Sequence, residues 1–162
     1  MLSMARQREF LADAAELYAR YNEALDDATI ERWPGFFTAD GHYRLTTRDN
    51  LERGLPLCFV LCEGQGMLRD RAEALRSAVF HRRRVQRRML SGLRLTRVDA
   101  DGSAAACASF AVYESVGDAP SLLLACGRSI DVIAREGDEL RFRSRLCVVD
   151  ARVMPDSLVF PL

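Results

Sequence analysis

The sequence predicts an α+β chain in which N-terminal helices pack on one long, curved, mostly antiparallel sheet that closes into a cone. Three observations predict it. Apolar residues recur at helical spacing over 4–25 and 67–80, with a short helix read between them at 28–37. The second half carries two long hairpins separated by turn residues. Runs of helix followed by runs of strand indicate α+β rather than an alternating α/β order.

The elements follow in order. Residues 4–25 predict a helix, because Phe10, Leu11, Ala14, Leu17, Tyr18, Tyr21 and Leu25 repeat every three or four positions. Asp27 is placed to cap a second, short helix over 28–37, with Trp33, Phe36 and Phe37 on its buried side. Pro34 sits badly inside it, since proline lacks the N–H a helix interior needs. Asp40-Gly41 reads as a turn, and His42–Thr47 as a strand with alternating faces. LCFVLCE, 57–63, reads as a compact apolar strand that GQG breaks, and MLRDRAEALRSAVF, 67–80, as a third helix.

The hairpins come next. RMLSGLRLTRV, the DADG turn and SAAACASFAVYESV form one; SLLLACGRSIDVIAR, EGDE and LRFRSRLCVVDAR form the other. In the last strand Leu140, Phe142 and Leu146 alternate with Arg141, Arg143 and Arg145, which predicts one apolar face and one arginine face.

The chain has 162 residues, the size of one domain, so 1–162 is read as a single unit. Its formal net charge is zero, which gives no global field toward nucleic acid or membrane. No apolar run approaches the roughly 18 residues of a membrane span. The N-terminus is charged throughout and has no apolar leader, so the expected location is the cytoplasm. All 23 basic residues are arginine, a residue suited to forked, interfacial or buried ion pairs.

The chemistry-bearing residues are few. His42 and His81 are the two histidines. A Rieske cluster needs two Cys and two His, and a facial-triad iron needs two His and a carboxylate. No paired Cys-His or His-His spacing is present, and Cys58 and Cys62, four apart on an expected strand, read as a core pair. Five cysteines without a secretion leader argue against a disulfide framework. EGQGMLRDR opens a helix after a strand but lacks the third glycine of a dinucleotide loop. HRRRVQRR, 81–88, reads as a solvated loop or as a docking surface for an acidic partner. Asp40, His42 and Tyr43 are the right types for general acid–base work, with Tyr18 and Tyr21 on the preceding helix. The competing reading makes Asp40 a turn residue and His42 structural.

Taken in order, ERWPGFFTADGHYRLTTRDN, CEGQGMLRDRAEALRSAVF, SGLRL, FAVYES, GRSIDVIAR and LCVVDARVMPDSLVFPL resemble the small (beta) subunit of bacterial aromatic-ring-hydroxylating, Rieske-type dioxygenases. The likeness is nearest to members acting on salicylate, anthranilate or terephthalate. It implies an NTF2-like (cystatin-like) cone. It also implies a large alpha subunit carrying the Rieske 2Fe-2S cluster and the mononuclear non-haem iron, and a hexamer of three large and three small subunits. A reductase or ferredoxin would deliver electrons to that complex. The small subunit would hold no cofactor and no catalytic residue, and would serve assembly and stability. The arginine-rich FHRRRVQRRMLSG departs from the Pro-His or Arg-His pair many members carry there.

The same fold hosts isomerases and dehydratases, which gives the alternative of a stand-alone enzyme with a cone pocket. The position where the isomerases place their base aspartate is Leu45 here, which cannot take a proton. Arg44, Arg48, Arg141, Arg143 and Arg145 are the candidates for ion pairs across subunits, and glutamate at 141, 143 or 145 is expected to weaken assembly.

Overall fold

The computed structural model describes residues 4–78, 83–154 and 160–162. Helix α1, Met4–Asp26, buries Phe10, Ala14, Leu17, Tyr18, Tyr21, Ala24 and Leu25 along one stripe. It ends where Ala28 takes a left-handed backbone (φ 57°), and the Thr29 hydroxyl closes on the Ala24 carbonyl at 2.9 Å. The expected second helix is a short 3-10 helix, Ile30–Phe36, preceded by Thr29 rather than capped by Asp27. Pro34 sits inside it, buried with Trp33.

Strand β1, Phe37–Thr47, begins five residues earlier than expected. Asp40-Gly41 is therefore not a hairpin turn. It lies in an irregular stretch of β1, where Phe37 pairs with Phe142 yet His42 pairs with Ser144. Gly41 is needed there, because a Cβ would sit 2.7 Å from that of Phe37. A five-residue helix α2, Arg48–Glu52, follows, with Thr47 accepting the Asn50 N–H at 3.1 Å. The sequence reading had no helix there.

Strand β2 is only Val60–Glu63; Leu57 and Phe59 are exposed outside it, and Cys62 alone of the expected cysteine pair is fully buried. Gly64, in a left-handed conformation (φ 80°), turns the chain directly into α3, Gly64–Arg76. The Gln65 amide reaches the carbonyls of Pro34, Phe37 and Thr38 at 2.9–3.1 Å, which fastens α3 to the start of β1. The last residues of the expected 67–80 helix, 79 and 80, lie outside the described residues, as does His81.

The two predicted hairpins are β3 (Arg84–Val98) with β4 (Ala104–Val116), and β5 (Leu122–Glu136) with β6 (Glu139–Val149). The sheet order is β2-β1-β6-β5-β4-β3. Every neighbouring pair is antiparallel except β1 and β6, which run parallel. The helices cover one face, and most of the buried hydrophobic residues form one cluster on that side.

Strand β6 does not keep the expected alternation. Val132 of β5 opposes Ser144, and Ile133 opposes Phe142, so Arg143 is an extra residue, a bulge. Beyond it the facing reverses. Phe142 points inward, and so does Arg145, with Cys147 and Val149 after it. The arginine face therefore holds Arg141 and Arg143 but not Arg145.

Candidate functional site

Two places were candidates: the interior of the cone, and the outer face of the sheet around β1. The interior is filled by the chain itself. Trp33 stands edge-on to Phe37 (5.5 Å) and Tyr43 (5.3 Å), and Phe142 is edge-on to Tyr18 (5.2 Å) and Tyr21 (5.5 Å). Leu162 also enters. Its N–H donates to the Tyr43 hydroxyl at 2.9 Å, and its main-chain oxygen accepts from the Tyr21 hydroxyl at 3.0 Å. The Trp33 indole N–H donates in turn to Tyr21 at 3.1 Å.

Inside this aromatic shell lies a buried ion pair that the sequence reading missed. Arg145 Nη1 donates to Asp131 Oδ2 at 2.9 Å, with both side chains at 2% exposure or less. The Tyr18 hydroxyl donates to the same carboxylate oxygen. The guanidinium lies 4.4 Å from the Tyr21 ring centre, 4.8 Å from Phe142 and 5.1 Å from Tyr18. Burial pushes the Asp131 carboxyl up from its ordinary range, against the pull of Arg145. Burial also raises the Tyr18 and Tyr43 hydroxyls, moves Tyr21 up to about 12, and moves the Cys147 thiol up to about 11. The raised tyrosine hydroxyls and the Cys147 thiol stay protonated near neutrality.

The sequence pattern pointed the other way for Asp131. In Ser129-Ile130-Asp131-Val132 the polar residues, not the isoleucine and valine, are the buried ones. Ile133 continues the same inward alternation, and the bulge lies opposite, in β6.

From Arg84 onward the HRRRVQRR cluster is strand rather than loop. It opens β3, whose alternation turns Gln86 and Arg88 inward. Arg88 binds Asp26 at 2.7 Å and the Pro161 carbonyl at 2.6 Å, while Gln86 and Arg84 each reach Glu114 at 2.9 Å.

The proposed acid–base set does not converge. Tyr43 is buried in the cone, whereas His42 is exposed on the outer face, opposite Glu63 and Ser144. Asp40 is exposed and accepts from the Thr38 hydroxyl at 2.8 Å, which holds its carboxyl below the usual range.

Of the interface candidates, Arg145 is removed to the core by the bulge. Arg48 pairs with Asp150, Arg141 with Glu136 (2.8 Å), and Arg143 with Asp101 (3.1 Å). Arg44 lines an outer cleft of about 640 Å³ together with His42, Leu55, Pro56, Leu61 and Leu146. Among the described residues, no three His, Cys, Asp or Glu side chains gather to hold a metal. His42 is the one histidine among them, so these residues fit neither a Rieske cluster nor a two-histidine iron site.

Known proteins agree on what such a chain is. Residues 20–156 match the family described as ring hydroxylating beta subunit. The small subunit of anthranilate 1,2-dioxygenase from Burkholderia cepacia is 32% identical, over 90% of this chain and 90% of that protein. Subunit beta 1 of the terminal oxygenase component of terephthalate 1,2-dioxygenase from Comamonas sp is 33% identical, over 91% and 96%. A crystal structure from Novosphingobium aromaticivorans DSM 12444, assigned as the beta subunit of an aromatic-ring-hydroxylating dioxygenase, superposes with a TM-score of 0.85 at 29% identity, over 94% and 95%. With its NTF2-like cone of helices on a six-stranded mixed sheet, the chain belongs to the ring-hydroxylating dioxygenase beta subunits.

Proposed function

We propose that this chain, as one domain spanning 1–162, is a non-catalytic structural subunit. It assembles as three copies with three iron-bearing alpha subunits, in the cytoplasm, to hydroxylate an aromatic acid. The alpha subunit supplies the Rieske cluster and the mononuclear iron, and a reductase or ferredoxin feeds electrons to the complex. The observation that carries this reading is the filled cone. Trp33, three tyrosines, Phe142 and the Arg145–Asp131 pair pack against one another through the interior of the cone. The names of the anthranilate and terephthalate relatives support an aromatic carboxylate as the substrate class. Exposed or half-buried arginines, Arg44, Arg48, Arg141 and Arg143, are the proposed contacts between subunits.

The test is native mass and iron content, with and without a co-expressed alpha subunit. An iron-containing complex holding three copies, beside an iron-free lone chain, is the expected result. A chain that ignores the alpha subunit and turns over a small substrate by itself overturns the reading.

A further inference from the structure

Arg44 differs from the other arginines in what it lacks. Of the arginines that are buried or half-buried, Arg84, Arg88, Arg141, Arg143 and Arg145 each hold a carboxylate. Arg71 is engaged as well. Arg44 is half-buried on β1 and has no hydrogen bond or ion pair to any described residue.

Its surroundings say what it would take. The register sets Arg44 between Leu61 of β2 and Leu146 of β6, so its flanks are apolar. Leu51, Leu55 and Pro56, from α2 and the loop after it, form a further apolar wall, and the cleft between encloses about 640 Å³. Glu63 stands opposite His42, one pair further along, and makes no ion pair with Arg44. A guanidinium partly withdrawn from water, with a free fork and apolar neighbours, selects a planar carboxylate carried beside apolar groups.

We propose that this cleft is a docking point for the alpha subunit. An aspartate or glutamate of that subunit forks onto Arg44, and an apolar side chain next to it packs against Leu51, Leu55 and Pro56. The inference rests on the beta-subunit reading and adds to it the residue and the chemistry of one contact. Charge complementarity is the argument: Arg44 is an unspent positive charge flanked by Leu61 and Leu146, and the polar residues that also line the cleft, His42, Glu63 and Ser144, stand one pair further along the strands. The other interface arginines already spend theirs within the chain.

The experiment uses the co-expressed complex and the lone chain, with Arg44→Glu, Arg44→Leu and Arg44→Lys. All three lone chains should fold as wild type does, because Arg44 contributes no internal pair. Arg44→Glu is expected to weaken assembly with the alpha subunit by roughly thirtyfold or more, the loss seen when one member of a desolvated charge pair is removed. Arg44→Lys keeps the charge without the fork and should fall between Glu and wild type. Assembly of Arg44→Leu should depend less on salt than that of wild type.

Wild-type assembly by both Arg44→Glu and Arg44→Leu overturns the inference. So does loss of self-association in the lone Arg44→Glu chain with alpha-subunit uptake intact, which would make a second copy the occupant. Benzoate bound by wild type but not by Arg44→Leu, with assembly unchanged, would likewise overturn it in favour of a free acid. If wild type itself fails to join the alpha subunit, the beta-subunit reading falls too. If wild type joins, only the role of Arg44 is at stake.

Discussion

Asp131→Asn tests the buried pair directly. The substitution keeps the shape of the side chain and removes its charge, leaving Arg145 in the core without a counter-ion. Removing one member of such a pair costs about 3–5 kcal/mol. A chain of this kind has about 5–15 kcal/mol in total, so the substitution takes a large share of it. At about 2–4 °C per kcal/mol for this size, the melting temperature should fall by roughly 6–20 °C. Arg145→Met, which strands the aspartate instead, should cost a similar amount. Replacing the pair together, Asp131→Leu with Arg145→Met, should cost far less than the two singles added, because no buried charge remains. The Tyr18 hydroxyl then loses its acceptor at about 1–3 kcal/mol, so Tyr18→Phe belongs in that background. Urea unfolding at fixed protein concentration measures all of these. Trp33, the one tryptophan, reports from inside the same cone. A loss under ~1 kcal/mol for Asp131→Asn, the scale of a surface pair, would refute the reasoning. A double substitution that costs the sum of its parts would refute it equally.

Other measurements follow from other parts of the chain. Gly127→Ala would set a Cβ 2.0 Å from the Val148 carbonyl oxygen and should cost about 3 kcal/mol in thermal or urea unfolding; a neutral result would mean that β5 and β6 are spaced differently. In native thiol titration, Cys58, Cys107 and Cys126, all half-buried, should react before buried Cys62 and Cys147, whose thiols burial has raised. Equal rates for all five would contradict that burial. Asp101 accepts from Ser103 and Arg143, which hold its carboxyl at about 2, below the ordinary 3.8. Its contribution to stability is therefore present above pH 3.8 and lost as pH falls toward 2, and Asp101→Asn should flatten that part of the acid-unfolding curve. An unchanged curve would show that Asp101 does not carry this link.

Much of the architecture was legible because it rests on repetition. Long apolar periods at 10, 14, 17, 18 and 21 gave α1, and turn residues between alternating runs gave both hairpins. What escaped rests on single residues. One extra residue at Arg143 reverses the facing of β6, so a side chain read as surface became the centre of the core. Likewise the Asp-Gly pair that signals a turn is absorbed here into a strand, because Gly41 can approach Phe37. Helix α2, at five residues, is shorter than any periodicity can show. The cone's packing was hidden for another reason: Trp33, Tyr18, Tyr43 and Leu162 meet only in three dimensions.

The parallel pairing of β1 with β6 has a consequence for the order of events in time. Residues 37–47 lie in the first third of the chain, but their central neighbour is made about a hundred residues later. Hairpins can zip locally, while this pair must close a very large loop first. During synthesis β1 therefore waits with one edge unpaired until β6 leaves the ribosome. The helical half of the subunit is a late arrival to its own sheet, and a chain stalled before residue 139 would be a client for chaperones rather than a partial subunit.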